Sequence, residues 1–517
     1  APGLSLSFRG NLPEQIGVLV DGSNMNSITK FENLEFLEFL PMSLPYYLKN
    51  KPRVLVINAG AGLDVLIALK NNATVTTLET NPLVIDLLKN DYKDFSGNIY
   101  NKADVLLGEG RSFVKKGEKF DVIILSLAGN ILGGPSGITS LSENYLLTAD
   151  AFKDYFDSLT EEGFLIVTRW LFNPPKEEIR IFSLASDIDK GEKKIAMLSS
   201  WNTFTLLLSK KNLDEKIIKK IKEFTEKNKF DIIYLPDEFD FEPNKYVKFK
   251  EPYHYNAIQL LLKNKKQFYE NYLFDVSSVY DNKPYYFNFF KVLKFFELKR
   301  ILGQRWNPFL DPGFLLFFIL VQALILALLF ILIPLLFRKK VKKIKNRKSL
   351  FYFFAIGIGF LFIEITLIQK FILFLGHAIF STTTIIFSML IFSSFGSLYS
   401  QRINIKNLKK IILILFLLII SYSFLLKFFI DNFITLNLIS KMILTSIFIA
   451  PLSFFMGFAF PLGIKKISKE LIPWAWAVNG SASVLSPILA IMLALFFGYN
   501  FVFILAGSVY LVGVIFI

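Results

Sequence analysis

From Gly313 to Ile517 the chain is a series of apolar runs, each close to the length a helix needs to cross a hydrocarbon core about 30 Å thick, roughly 20 residues. Spans are expected near 313–337, 350–369, 378–399, 411–430, 438–463, 472–498 and 500–517, an all-α transmembrane domain of about seven helices at 313–517. Charge supports the division. This part carries 18 Lys/Arg against Glu364, Asp431 and Glu470, which accounts for the whole net charge of +15 and leaves 40 residues of each sign before it. Eight of the basic residues fall in 338–348, four in 402–410 and three in 465–469, on every second loop. By the positive-inside rule these three loops are expected in the cytoplasm, and the positive charge reports membrane topology rather than nucleic-acid binding. The expected partner is therefore the lipid bilayer. With no Cys and only His254 and His377, disulfides and thiolate chemistry are excluded and no metal site is expected.

Ahead of the spans, short β-branched runs alternate with helical stretches, the pattern of a parallel α/β sheet. Arg53–Ile57, Thr74–Leu78, Val105–Leu107, Asp121–Leu125 and Phe164–Thr168 read as strands, with helices over Asp64–Leu69 and Pro82–Leu88. Residues 1–50 form a small N-terminal β region, in which Gly3–Phe8 and Val18–Gly22 are expected to pair around an Asp-Gly turn that includes Asp21. Amphipathic Lys/Glu helices are expected around 213–229 and 255–270. The domain carrying the sheet is taken as 51–300.

Asn58-Ala59-Gly60-Ala61-Gly62-Leu63-Asp64 follows a hydrophobic strand and opens a helix, where glycines permit a tight turn and the helix N-terminus offers unpaired N–H groups. Nineteen residues after Gly60, Glu79 ends the next strand, where an acid can accept from both hydroxyls of a ribose. Gly108-Glu109-Gly110-Arg111 follows the third strand and places Glu109 where it could accept from an adenine amino group. All three sites lie at carboxyl ends of adjacent strands, which points to nucleoside binding.

The stretch from Val54 to Trp170, with VLVINAGAGLDVLIAL, LETNPLVIDLL, GEGRSF, FDVIILSL and EEGFLIVTRW, resembles the membrane-embedded spermidine synthase-like proteins. The likeness extends to APGLSLSF at the start, to DNKPYYF at Asp281–Phe287, and to GFLFIEITLIQKFILFLGH ending at His377. It implies an α/β Rossmann-like domain of the class I S-adenosylmethionine-dependent transferase fold, with S-adenosylmethionine or its decarboxylated form as cofactor. Gly60, Gly62 and Asp64 would line the methionine side, Glu79 the ribose and Glu109 the adenine. The resemblance also leads to an expectation of further membrane helices before Ala1.

Two departures bear on chemistry. Asn58 stands where the family has Gly, and the segment after the fourth strand, Ile124 to Asn130, holds none of the acids with which soluble spermidine synthases bind and deprotonate an amine. Glu143 and Tyr145, following the 133–137 glycine-rich loop, are the candidate replacements, with Ser142 as an alternative helix cap. Asp21 is expected in a turn and His254 on the surface. In the membrane half Glu364 lies within an apolar span, expected to pair with Lys370, His377 or a group outside this sequence, and the Trp/small-residue run at 474–487 is expected to pack helices. Two functions remain open: a methyl or aminopropyl transferase of unknown acceptor, or a catalytically inactive ligand-binding domain regulating a membrane bundle or transporter.

The loop alternation predicts that Lys343→Cys, Lys406→Cys and Lys466→Cys, each the sole Cys of its chain, all escape a membrane-impermeant thiol reagent applied to intact cells. Labelling of one and not the others would refute the seven-span map.

Overall fold

The computed structural model describes residues 2–20, 24–127, 141–238, 240–302, 312–333 and 348–517. The chain divides into two compact units, Ala1–Trp306 and Asn307–Ile517.

In the first unit a hairpin of β1 (Gln15–Val20) and β2 (Asn24–Thr29) stands apart from an eight-stranded sheet. The sheet comprises β3 (Arg53–Ile57), β4 (Thr74–Glu79), β5 (Asp104–Leu107), β6 (Phe120–Leu125), β7 (Leu159–Trp170), β8 (Ile195–Ser199), β9 (Thr203–Ser209) and β10 (Asp231–Tyr234), in the order β10-β8-β9-β7-β6-β3-β4-β5. β3 to β7 run parallel, while β9 joins β7 antiparallel and β8 and β10 continue antiparallel from it. This is a Rossmann-like sheet of the class I methyltransferase kind.

The central strands read as unbroken apolar runs because both faces are covered. Leu55, Ile57, Ile123, Leu125, Leu165 and Val167 enter one core, and Val54, Val56, Val122, Ile124, Phe164 and Ile166 enter the other. The crossover helices include α1 (Leu63–Lys70), α2 (Pro82–Asp86), α3 (Gly110–Val114) and α4 (Ala149–Asp157), followed by α5 (Glu177–Ile188), α6 (Glu215–Asn228) and α7 (Tyr253–Lys263). The Pro82 start holds: the Asn81 side chain accepts from the Leu83 N–H at 3.0 Å and so caps α2.

One pairing differs from expectation. β1 pairs with β2, not with Gly3–Phe8, and Asp21 lies outside the described residues. Gly3–Phe8 is drawn off by other partners: the Gly3 N–H donates to Asn202 Oδ1 at 3.0 Å, the Ser5 N–H to the Phe39 carbonyl at 2.9 Å and the Ser5 hydroxyl to the Asn228 carbonyl.

A buried guanidinium joins the GEGR and DNKPYYF segments. Arg111, 1% exposed, donates to Asp281 Oδ1 and Oδ2 at 3.1 and 3.0 Å and to Asp154 Oδ2 at 2.7 Å. Thr148 adds a hydroxyl to Asp281 Oδ1 at 2.6 Å, so the charge is paired on all sides.

In the second unit, α8 (Pro312–Ala327) is followed by six segments long and apolar enough to cross a membrane. They contain α9 (Ser349–Leu375), α10 (Ala378–Tyr399), α11 (Leu408–Phe433), α12 (Leu438–Ile464), α13 (Ile472–Phe497) and α14 (Tyr499–Gly513). The first expected span is thus the exception: its apolar described part is Leu316–Phe330, and 334–337 lie outside the described residues.

Small residues set the closest crossing, as lipid-embedded helices require. A Cβ on Gly396 of α10 would lie 2.0 Å from the Phe454 carbonyl oxygen of α12, and one on Gly457 2.0 Å from that of Ser393. The Trp/small-residue run packs as expected, with Asn479 Nδ2 donating to the Phe353 carbonyl at 3.0 Å.

Gly396→Ala and Gly457→Ala are each expected to cost about 1–3 kcal/mol by forcing the helices apart. Gly480→Ala, where a Cβ meets nothing within 4 Å, is the control. Thermal unfolding of the detergent-purified chain reads the difference, and equal melting of all three variants would contradict the packing.

Candidate functional site

After β3 the backbone turns through three left-handed positions, Asn58, Gly60 and Gly62, at φ of 56°, 53° and 87°. Asn is among the few side-chain-bearing residues that adopt this region readily, so Asn58 holds its position without a glycine. Gly62 cannot be replaced so easily, because a Cβ there would lie 2.5 Å from Ile99 Cδ1. The turn is tied to the neighbouring strand by Glu79, whose Oε2 accepts from the Gly60 N–H at 3.0 Å while Oε1 accepts from the Thr80 and Asn81 N–H groups at 2.9 and 3.0 Å. The Tyr100 hydroxyl donates to the Gly60 carbonyl at 2.6 Å, so this peptide is held from both sides.

Beside the turn lies a cavity of about 420 Å³. Its wall includes Gln15, Gly17, Asn26 and Ser27 of the hairpin, Ala59 to Asp64 without Gly60, Ser126 and Leu127 after β6, and Trp170 at the end of β7. Strand order reverses between β3 and β6, the position at which open α/β sheets bind ligands. Three polar atoms on this wall are buried without a hydrogen bond of standard geometry to the described residues: Trp170 Nε1, and Asp64 Oδ1 and Ser126 Oγ, whose side chains are close enough to interact with each other. Burial pushes the Asp64 carboxyl up to about 6, and nearby Ser126 draws it back only in part.

Of the residues singled out in the sequence, Gly62 and Asp64 line the cavity, Gly60 sits between two residues that do, and Glu79 holds Gly60. Glu109 lies at the carboxyl end of β5, where its Oε2 accepts from the Ser112 N–H at 2.9 Å and caps α3. Glu143 and Tyr145 are not on the cavity wall. Tyr145 is buried, which raises its hydroxyl well above the usual range, and its carbonyl accepts from Arg111 at 2.9 Å. Residues 128–140, which include the glycine-rich loop, lie outside the described residues.

Two lesser expectations are corrected. The cap of α4 is Thr148, accepting from the Ala151 N–H at 3.1 Å, rather than Ser142, because the helix begins only at Ala149. His254 is buried, not on the surface, since its ring meets the buried carboxylate of Glu178. Sequence reasoning missed Trp170, Asn26, Gln15 and Asn202. Trp170 carried a usable signal, ending a strand on the ligand side; the hairpin residues carried none.

The intramembrane polar residues do not form the expected pair. Lys370 donates to Asn500 Oδ1 at 2.5 Å, and His377 Nδ1 caps α10 by accepting from the Ile379 N–H at 3.2 Å. Six residues along a helix leave Lys370 about 120° around the axis from Glu364, and His377 lies beyond the end of α9. Glu364 has neither a hydrogen bond nor an ion pair among the described residues.

No protein-family model and no curated protein matches the chain. Among solved structures it is similar to a probable spermidine synthase from Corynebacterium glutamicum, at 13% identity and a TM-score of 0.32 over 42% of this chain and 80% of that one. Spermidine synthase from Thermotoga maritima is similar at 20% identity and 0.31, over 48% and 79%. Human methyltransferase-like protein 13, in complex with SAH, is similar at 12% identity and 0.28, over 40% and 94%.

Because its carboxyl is raised from 3.8 to about 6, native Asp64 holds a proton that the unfolded chain releases between those values. Stability therefore falls as pH rises through this window, by roughly 3 kcal/mol. Asp64→Asn removes the titration, so its melting temperature is expected to gain on the parent's between about pH 4 and about pH 7. A constant difference across that range would exclude the buried carboxyl as its source.

Proposed function

We propose that the first unit binds a sulfonium nucleoside, S-adenosylmethionine or its decarboxylated form, and transfers its methyl or aminopropyl group to a small acceptor in the 420 Å³ cavity. One observation carries the reading: Asp64 Oδ1, Ser126 Oγ and Trp170 Nε1 stand without a hydrogen bond of standard geometry on one cavity wall at the ligand end of a Rossmann-like sheet. Buried polar atoms left unpaired cost about 1–3 kcal/mol each, and a ligand that pairs them recovers that cost.

The residues present fit such a nucleoside. Glu79 Oε1 is filled by two N–H groups, whereas Oε2 holds one and retains a lone pair for a ribose hydroxyl without releasing the turn. When bound, the cofactor supplies an electrophilic carbon attached to sulfur. Asp64, half ionised near pH 6, is suited to hold an ammonium group or to receive a proton from the acceptor at Oδ1. Glu143 retains that proton-accepting role only for an acceptor that extends beyond the cavity, while burial keeps Tyr145 a neutral phenol and so no base. The second unit supplies a bilayer anchor.

The inactive alternative is favoured by one feature, the acid-free end of β6 at Ser126 and Leu127. Calorimetric titration of the purified full chain with both nucleosides, followed by incubation with labelled donor and candidate amines, separates the two. Binding is expected, with Glu79→Ala losing about 1.5–3 kcal/mol of it. Binding without transfer of label to any acceptor would favour the inactive reading, and a chain that binds neither nucleoside would overturn both.

A further inference from the structure

Within the second unit lies another cavity, of about 540 Å³, in the size range of small-molecule sites. Five helices frame it, α9, α10, α12, α13 and, through Tyr510, α14, and its apolar wall includes Phe360, Leu361 and Met456. Four of its polar residues, Ser393, Ser394, Ser483 and Asn479, share one property. The Ser393 and Ser394 hydroxyls both donate to the Leu390 carbonyl, at 3.3 and 2.7 Å, and the Ser483 hydroxyl donates to the Asn479 carbonyl at 3.0 Å. The Asn479 carboxamide donates to the Phe353 carbonyl at 3.0 Å. With these protons committed to the helices, the three hydroxyls and the Asn479 Oδ1 offer a ligand lone pairs, beside the Ser397 and Tyr510 hydroxyls of the same wall, which can donate or accept.

Glu364 extends the same surface. Gly357, Phe360 and Leu361 line the cavity, and Glu364 follows them by seven, four and three residues, so it shares their face of α9. Helical side chains lean toward the N-terminus, which carries the Glu364 side chain back over the turn holding Phe360 and Leu361. It is half-buried and has no ion pair or hydrogen bond among the described residues. Trp476 and Phe460, with ring centroids 4.5 Å apart, put aromatic faces on the wall, and such faces attract cations.

We propose that this cavity is a binding site for a lipophilic amine, its ammonium group received by the Glu364 carboxylate and the serine and asparagine oxygens and its chain by the apolar wall. The Glu364 acid, one turn along α9 from the wall residues Phe360 and Leu361, together with the serine lone pairs and the aromatic faces, favours a cationic donor. The inference is independent of the transferase reading, since it draws only on the membrane unit.

The test uses the purified full chain in lipid nanodiscs, with dodecylamine, dodecanol and dodecyl phosphate as probes and empty nanodiscs as the partition blank. Saturable binding of dodecylamine above the blank is expected. Glu364→Gln should weaken it roughly ten- to hundredfold, the loss of hydrogen bonds to a charged group, and leave dodecanol unchanged. Ser394→Phe, at an exposed position that tolerates a larger side chain, should block the cavity and remove the saturable component for amine and alcohol alike. It also decides the matter should Glu364→Gln not fold. Partitioning without saturation, equal amine binding by parent and Glu364→Gln, or tighter binding of dodecyl phosphate would each overturn the proposal.

Discussion

The hydrogen bond from the Gly60 N–H to the Glu79 carboxylate is the constraint on which the ligand end of the first unit depends. It joins the turn after β3 to the end of β4. A buried carboxylate is tolerable only when both its oxygens accept hydrogen bonds, and three backbone N–H groups supply them to this one. Because those donors come from two different loops, the charge fixes the loops against each other. The start of α1 follows from that position, and so does the depth of Asp64. Without the bond, the left-handed backbone at Asn58, Gly60 and Gly62 would have to be held by the Tyr100 hydroxyl and neighbouring ladder bonds alone.

How their polar groups are satisfied separates Arg111 from Asp64 better than burial does. Arg111 and Asp64 are both nearly inaccessible. Arg111 has its guanidinium divided between Asp281, Asp154 and the Tyr145 carbonyl, so every strong demand is met by the fold itself. It acts as a clamp, and its neighbours have no reason to bind anything further. Asp64 has one oxygen without a hydrogen bond of standard geometry, in a wall where a hydroxyl and an indole N–H share that condition. The fold has left those demands for something else to meet.

Much of this was legible in the sequence, and the gaps have physical causes. The parallel strands could be read because burial on both faces leaves an apolar run such as Val54–Ile57, and the glycine turn because it sits directly after one. The insertion of β9 between β7 and β8 was not legible, since pairing between distant strands leaves no local signature. The first hairpin was mispartnered for a related reason: Asn24–Thr29 is polar and shows no alternation that would mark it as a strand. In the membrane half, hydropathy located six spans, but the partner of Glu364 depends on helix rotation, which hydropathy does not encode. Even there the spacing to Lys370 carried the answer, for six residues is the wrong separation for neighbours on one helix face.

The two cavities differ in the chemistry of their walls. In the first unit a hydroxyl, an indole N–H and a carboxylate oxygen stand unpaired on one wall, so donors and acceptors are both available there. In the second unit Ser393 and Ser394 of α10 and Ser483 of α13 return their protons to carbonyls of their own helices. That local bonding consumes donors and spares lone pairs. A cavity built from helical serines in a membrane is therefore biased toward accepting hydrogen bonds, and an acid one turn away, such as Glu364, turns that bias into a preference for positive charge.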